Sequence, residues 1–295
     1  MNAKVKDKIF TVVLYIISTL VVLLLAALIG YILIRGVRYL TTSFLFGNPK
    51  VGEAGGGIGP QLFNSFYMLI ISLAITIPFG IGAGIYLAEY AKEGKILNII
   101  RLCIETMASL PSIVVGLFGF LVFVKSTHWG FTLLSGALAI GILNLPSLTR
   151  VSENAIRAVP SGVKEASLGL GATKWQTIRR VILPSSMPQI LTGVILAGGR
   201  IFGEAAALLY TSGMSAPSLS FSMNNLFTSG SPFNLMRPAE TLAVYIWQVN
   251  SEGMVPDATR IGDGASAVLI IMVLLFNILA RVIGNRIYEH YTGKK

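Results

Sequence analysis

Residues 161–184 read SGVKEASLGLGATKWQTIRRVILP, a polar and basic stretch enclosed by apolar runs on both sides. Its composition predicts two short helices around a glycine instead of a slack connector. The first runs from Ser161 to Leu170 and carries Glu165, and Gly171 sits where a left-handed residue ends a helix. Thr173 caps the second helix while Gln176, three residues on, reaches back to the cap, a reciprocal capping box. Trp175, Ile178 and Ile182 then share one helical face, opposite Lys174, Arg179 and Arg180. From composition alone such a pair either lies on anionic headgroups or serves as a docking knob for a cytoplasmic partner.

Outward from this stretch the chain is built for lipid. Of its 295 residues 54% are hydrophobic and 12% charged, and the mean hydropathy is +0.73. A soluble domain carries about 25% charged residues, so a water-soluble globular protein is excluded. Crossing the hydrocarbon layer takes about 20 apolar residues as a helix, because each backbone group must bond within its own segment. Six stretches qualify: Ile9–Ile34, Phe63–Tyr90, Ile104–Val124, Phe131–Leu148, Met187–Leu209 and Ala265–Ile283. The first exceeds a signal-peptide core and lacks a clear cleavage site, so it reads as a retained span. The fold predicted is therefore all-α, with six transmembrane helices.

The placement of lysine and arginine orients these spans. Lys4, Lys6, Lys8, Lys92, Lys95, Arg101, Arg150, Arg157, Lys164, Lys174, Arg179, Arg180, Arg281, Arg286, Lys294 and Lys295 fall on one side. Arg35, Arg38, Lys50, Lys125, Arg237 and Arg260 fall on the other. This asymmetry predicts a multi-pass protein of the cytoplasmic membrane with both termini inside. The net charge of +10 thus expresses topology and not nucleic-acid binding. A single cysteine, Cys103, and two histidines support neither an internal disulfide nor a zinc cluster. The division predicted is a first span with its outer loop over 1–62, a core over 63–290 and a short cytoplasmic tail over 291–295. In the first outer loop, Gly55, Gly56, Gly57 and Gly59 before Pro60 predict a flexible turn, without the Lys-Ser/Thr ending of a phosphate loop. In the second, 210–264, Pro238–Val249 predicts a three-turn helix with proline near its start, too short to span and so placed at the outer face.

One charge departs from the lipid pattern. Arg200 lies inside the fifth predicted span, about 20 Å along a helix starting at Met187, beyond the reach of snorkelling to the inner surface. Such a charge costs at least about 2.5–3.5 kcal/mol and needs an ion pair or a hydrated path. Glu204, four residues on, falls on the same predicted helix face and supplies part of the compensation. The pair either fixes helix packing or marks the route of a small oxyanion, for which the planar guanidinium fork is suited.

The spacing of the opening stretch resembles a known motif. Glu165-Ala166-Ser167, three residues, Gly171, nine residues, and Val181-Ile182-Leu183-Pro184 is similar to the EAA loop of ABC importer permeases, departing at Ser167 and Val181. Asn64-Ser65, Tyr86-Leu87-Ala88-Glu89-Tyr90, Leu110 to Phe118, Ile156 to Pro160 and Gly199 to Glu204 together resemble the PstA permeases of phosphate-specific ABC importers over about residues 60–290. Ala205 stands where many relatives have threonine. The resemblance implies the type I, MetI-like architecture and a non-enzymatic subunit that binds no cofactor, its ATP being hydrolysed by a partner. It implies a heterodimer with a second permease of PstC type, an ATPase dimer of PstB type and an external phosphate-binding protein of PstS type, with lipid around the spans. It assigns Arg200, Glu204 and Arg150 to the substrate pathway, although an arginine at a helix end is also expected for topology alone. Glu165, Ala166, Gly171, Leu183 and Pro184 it assigns to coupling with the ATPase. The chain has no nucleotide-binding loop of its own. The partner permease, a permease for molybdate or sulfate, and a stand-alone secondary transporter remain alternatives. A membrane-embedded enzyme lacks the clustered His, Asp or Cys it would need.

Overall fold

A computed structural model describes residues 3–50, 52–219, 231–252 and 255–292, and all regular structure among them is helical. The helices are α1 (Ala3–Val37), α2 (Thr42–Phe46), α3 (Gly59–Ile85), α4 (Lys95–Ala108), α5 (Ser112–Gly119), α6 (Leu133–Arg157), α7 (Ser161–Gly169), α8 (Lys174–Thr177), α9 (Leu183–Gly203), α10 (Ala206–Leu209), α11 (Leu242–Glu252) and α12 (Ala258–Thr292). Turns of π-helix extend α3 over Tyr86–Tyr90, extend α5 over Phe120–Ser126, and join α8 to α9 over Ile178–Ile182. Five helical stretches are long and apolar enough to cross a membrane: Lys6–Val37, Gly59–Tyr90, Leu133–Arg157, Lys174–Gly203 and Ala258–Arg286. Of the predicted tail, residues 293–295 lie outside the described residues, as do 220–230 and 253–254 of the second outer loop.

The predicted third span is corrected. It is a pair of helices, Lys95–Ala108 and Ser112–Ser126, bent by 98°. Pro111 forces Leu110 away from helical torsions, and the Ser109 hydroxyl bonds back to the Thr106 carbonyl at 2.8 Å. Only the second limb continues the predicted span. The fourth span is longer than predicted and lies innermost, with 61% of its apolar window buried. It runs through Pro146 and past Leu148 to Arg157, because the polar residues that end its hydropathy do not end its helix.

The fifth span, predicted from Met187, continues without interruption from the loop helix, since Lys174–Gly203 is one helical stretch. A proline inside a helix clashes with the carbonyl four residues back and leaves it unbonded. The wider turn over Ile178–Ile182 sits where Pro184 meets that strain. The same turn shifts the helical face: Ile178 and Ile182 are both 1% exposed, while Trp175, predicted beside them, is 56% exposed.

Helix α11 starts at Leu242, four residues later than predicted, so Pro238 is not at its first turn. The segment before it is held from α3. Asn64 Nδ2 donates to the Glu240 carbonyl at 2.9 Å, and the Leu242 N–H donates to Ser65 Oγ at 2.8 Å. The buried face of α11, with Leu242, Val244, Tyr245 and Val249, joins the main core between α3, α6, α9 and α12. The predicted glycine turn is exposed only over 52–55, whereas Gly57 and Gly59 bond to the carbonyls of Asn48 and Gly47 at 2.9 Å each and lead into α3. Helix α1 stands at the edge, tied to α12 by Arg35 and Asp263 at 3.1 Å.

Candidate functional site

Between α6 and α9 lies a cavity of about 230 Å³, lined by Asn144, Ser147, Leu148 and Val151 from α6 and Gly193, Leu196, Ala197 and Arg200 from α9. A Cβ on Gly193 would stand 2.7 Å from Val151, so glycine there lets the two helices meet at the cavity wall. Arg200 is half-buried and, among the described residues, forms no ion pair and no side-chain hydrogen bond.

The predicted Arg200–Glu204 pairing is corrected. Helix α9 ends at Gly203, and Glu204 is extended with ψ 117°, so the four-residue spacing no longer brings the two onto one face. The buried Glu204 carboxylate instead accepts the Ala207 N–H at 3.1 Å, closing the turn into α10. Arg200 thus sits in the last turn of α9, where a cation is favoured by the negative end of the helix dipole. Helix α10, which follows the break at 204–205, packs against α5, where a Cβ on Gly116 would lie 2.7 Å from Ala207 Cα.

Arg150 does not line this cavity. It belongs to a charge network that the C-terminal part of α6 forms with α4 and that sequence reasoning missed. Glu153, 2% exposed, takes Arg101 at 2.8 Å, Arg157 at 3.2 Å and Arg150 at 3.7 Å. Arg150 also bonds Glu105 at 2.7 Å, and Glu93 takes Arg157 at 3.0 Å and Arg101 at 3.6 Å. The hydrogen bond from Arg157 holds the Glu93 carboxyl below its usual range. A signal was available: Arg150, Glu153 and Arg157 have the 3- and 4-residue spacings of helical ion pairs. Ending the span at Leu148 hid it.

The predicted coupling residues occupy α7 and its junction with α9. Glu165 and Ala166 are exposed, and Gly171 has φ +83° with open space around it, as a helix-ending left-handed glycine requires. The Thr173–Gln176 capping box is present. Leu183 and Pro184 are half-buried at the start of α9. This unit is fastened to the end of α3: Lys164 pairs with Glu89, and Lys174 donates to the Glu89 carbonyl and lies 4.6 Å over the Tyr90 ring, while Arg157 at the end of α6 donates to the Leu87 carbonyl at 3.2 Å. Its outer surface keeps apolar side chains among the polar ones, with Val163, Leu168 and Trp175 exposed and Leu170 90% exposed.

At the opposite end, Arg237 is 1% exposed, although the sequence placed it in an open loop. Its guanidinium donates to Asn64 Oδ1 at 2.7 Å and to the carbonyls of Pro232 and Pro238, and burial pulls its pKa down to about 10. Near it Glu240, 3% exposed, accepts from Gln61 Nε2 at 2.9 Å. Burial pushes its carboxyl up to about 7 against that hydrogen bond, with Glu252 adding to the rise.

Residues 80–291 match the family model described as binding-protein-dependent transport system inner membrane component. The chain is 51% identical over 293 residues to the probable ABC transporter permease protein YqgI of Bacillus subtilis (strain 168), covering 99% of this chain and 100% of that one. It is 38% identical over 238 residues to the phosphate transport system permease protein PstA of Yersinia pestis, covering 80% and 75%. Among solved structures, a bacterial alginate ABC transporter in complex with an alginate pentasaccharide-bound periplasmic protein matches with TM-score 0.63 at 17% identity, over 97% of this chain and 96% of that one. The inward-facing MetNI methionine ABC transporter matches with TM-score 0.52 at 18% identity, over 80% and 94%. At these identities the structural likeness is one of fold, the MetI-like helical permease fold.

Proposed function

We propose that this chain, which belongs to the family of binding-protein-dependent transport system inner membrane components, is the PstA-type permease that carries inorganic phosphate. Membership makes it a multi-pass permease subunit of an ABC importer, not itself an enzyme. The phosphate assignment is supported by likeness to phosphate permeases such as that of Yersinia pestis. The observation that carries it is Arg200, a guanidinium without a carboxylate partner among the described residues, on the wall of the α6–α9 cavity. A guanidinium there suits a dianion in transit, its planar fork matching the geometry of phosphate oxygens.

In this reading a second permease of PstC type completes the pathway, a PstS-type protein delivers phosphate to the outer loops, and a PstB-type ATPase dimer docks on α7 and α8 from the cytoplasm, where both termini lie. Glu165, Ala166 and Gly171 shape the docking unit, and Leu183 and Pro184 join it to α9. From Lys174 to Arg200 the chain is one helix, about 39 Å long at 1.5 Å per residue, so a push at the docking end moves the guanidinium end directly. Glu204 shapes the turn beyond Arg200, and Arg150 positions the inner end of α6. The test is phosphate uptake by the reconstituted complex. Arg200→Gln is expected to abolish uptake with all subunits still co-purifying, and undiminished uptake would remove Arg200 from the path.

A further inference from the structure

We propose that the groove between α9 and α12 binds an anionic phospholipid of the leaflet nearest α7 and α8, its phosphate held by Arg281. The groove encloses about 570 Å³, within the range of specific ligand clefts. Its shape follows from two glycines. A Cβ on Gly284 would stand 1.7 Å from Leu191, and one on Gly198 would stand 2.3 Å from the Phe276 ring. The helices therefore touch at both places, and the groove opens along the side chains around and between them. Its walls divide by chemistry. Leu191, Ile195, Leu196 and Ile278 form an apolar lining suited to acyl chain.

Asn277, Arg281 and Asn285 also line the groove, spaced four residues apart, so they stand above one another on a single face of α12. None of the three has an ion pair or side-chain hydrogen bond among the described residues. A cation between two amides along one wall, facing the apolar side chains of Leu191, Ile195 and Leu196 on the other, complements a phosphodiester whose acyl chains lie against that apolar wall. An arginine present for topology alone would need neither the amides nor the trough. The leaflet follows from Leu191, which meets Gly284 only eight residues after α9 begins, on the half of that helix that continues from the basic turn with Arg179 and Arg180. Leu196 lines both this groove and the Arg200 cavity, so a bound lipid would form part of the wall behind that cavity.

The site does not depend on which anion the importer carries. The test is native mass spectrometry of the assembled complex from nanodiscs holding equal phosphatidylglycerol and phosphatidylcholine, through stepwise delipidation. The wild type is expected to retain phosphatidylglycerol in preference to phosphatidylcholine, and Arg281→Gln to lose that preference at least fivefold. Thr192→Trp, which obstructs the groove from an exposed position on α9, is expected to release the lipid with the charge intact. Arg286→Gln, outside the groove lining, is expected to change nothing. Equal retention by wild type and Arg281→Gln would overturn the site. So would displacement of the lipid by millimolar inorganic phosphate, or a crosslink from Arg281→Cys to the partner permease in place of lipid.

Discussion

Replacing Glu153 by glutamine keeps the side-chain shape and removes the charge on which three guanidinium groups converge. At an effective dielectric of about 20, contacts at 2.8, 3.2 and 3.7 Å are each worth about 4–6 kcal/mol of raw attraction. Most of that is cancelled by taking Glu153 out of water, and removing one partner of a buried pair costs about 3–5 kcal/mol in practice. Here Arg101 is 20% exposed, with Arg150 and Arg157 at 38% and 37%, so water and the neighbouring Glu93 and Glu105 recover part of the loss. The expected destabilisation is about 2–3 kcal/mol, a fall of about 5 °C in Tm for a chain of this size. The assay is thermal unfolding of the purified protein in detergent, run as a double-mutant cycle with Arg101→Gln. A coupling of about 1–2 kcal/mol between the two is expected, because they share one contact. Unchanged Tm, or effects that simply add, would show that Glu153 does not hold α4 on α6.

Glu204→Ala removes the acceptor for the Ala207 N–H and is expected to cost about 1 kcal/mol in the same assay, whereas Glu204→Gln keeps that acceptor and should be near neutral. Equal damage from both would restore a charge pairing with Arg200. Gly84→Val would bring Cβ within 2.5 Å of Ser152 and 2.9 Å of the Glu153 backbone nitrogen, an overpacking worth about 1–3 kcal/mol, while Gly82→Val meets open space and serves as the control. Glu240 binds its proton more tightly folded than unfolded, so its contribution is complete at pH below its ordinary 4.5 and is lost as pH rises through about 7, at most about 3 kcal/mol. Tm measured from pH 5 to 8 should therefore fall more steeply in the wild type than in Glu240→Gln; parallel curves would refute this. Gly171→Val forces a side chain to φ +83° in open space, costing about 1 kcal/mol locally, and is expected to release the ATPase on co-purification; full retention would count against α7 as the docking unit.

Helix content, the position of most spans and the capped glycine turn of the loop were legible in the chain, because lipid solubility, capping and left-handed torsion are properties of neighbouring residues. Local signals failed wherever a helix outran its hydropathy or stopped inside an apolar run. Arg157 closes a helix whose apolar stretch ends at Leu148, and Gly203 closes one whose apolar stretch continues to Leu209. That second misjudgement misplaced Glu204, since four residues put side chains together only while the helix lasts. The π turn at Ile178–Ile182 likewise moved Trp175 outward by changing the period on which its face was judged.

What the amino-acid order determined by itself was that this chain lives in a membrane, that its basic connector is structured, and that Arg200 requires an explanation. Only the tertiary structure decided the partners: that Glu153 gathers three arginines from two helices, that Arg237 is buried on Asn64, and that Arg200 keeps no carboxylate among the described residues. The physical reason is range. Helix propensity and hydropathy act over a few residues, whereas an ion pair between Arg101 and Glu153 joins positions 52 apart in the chain, and only packing brings them within 3 Å.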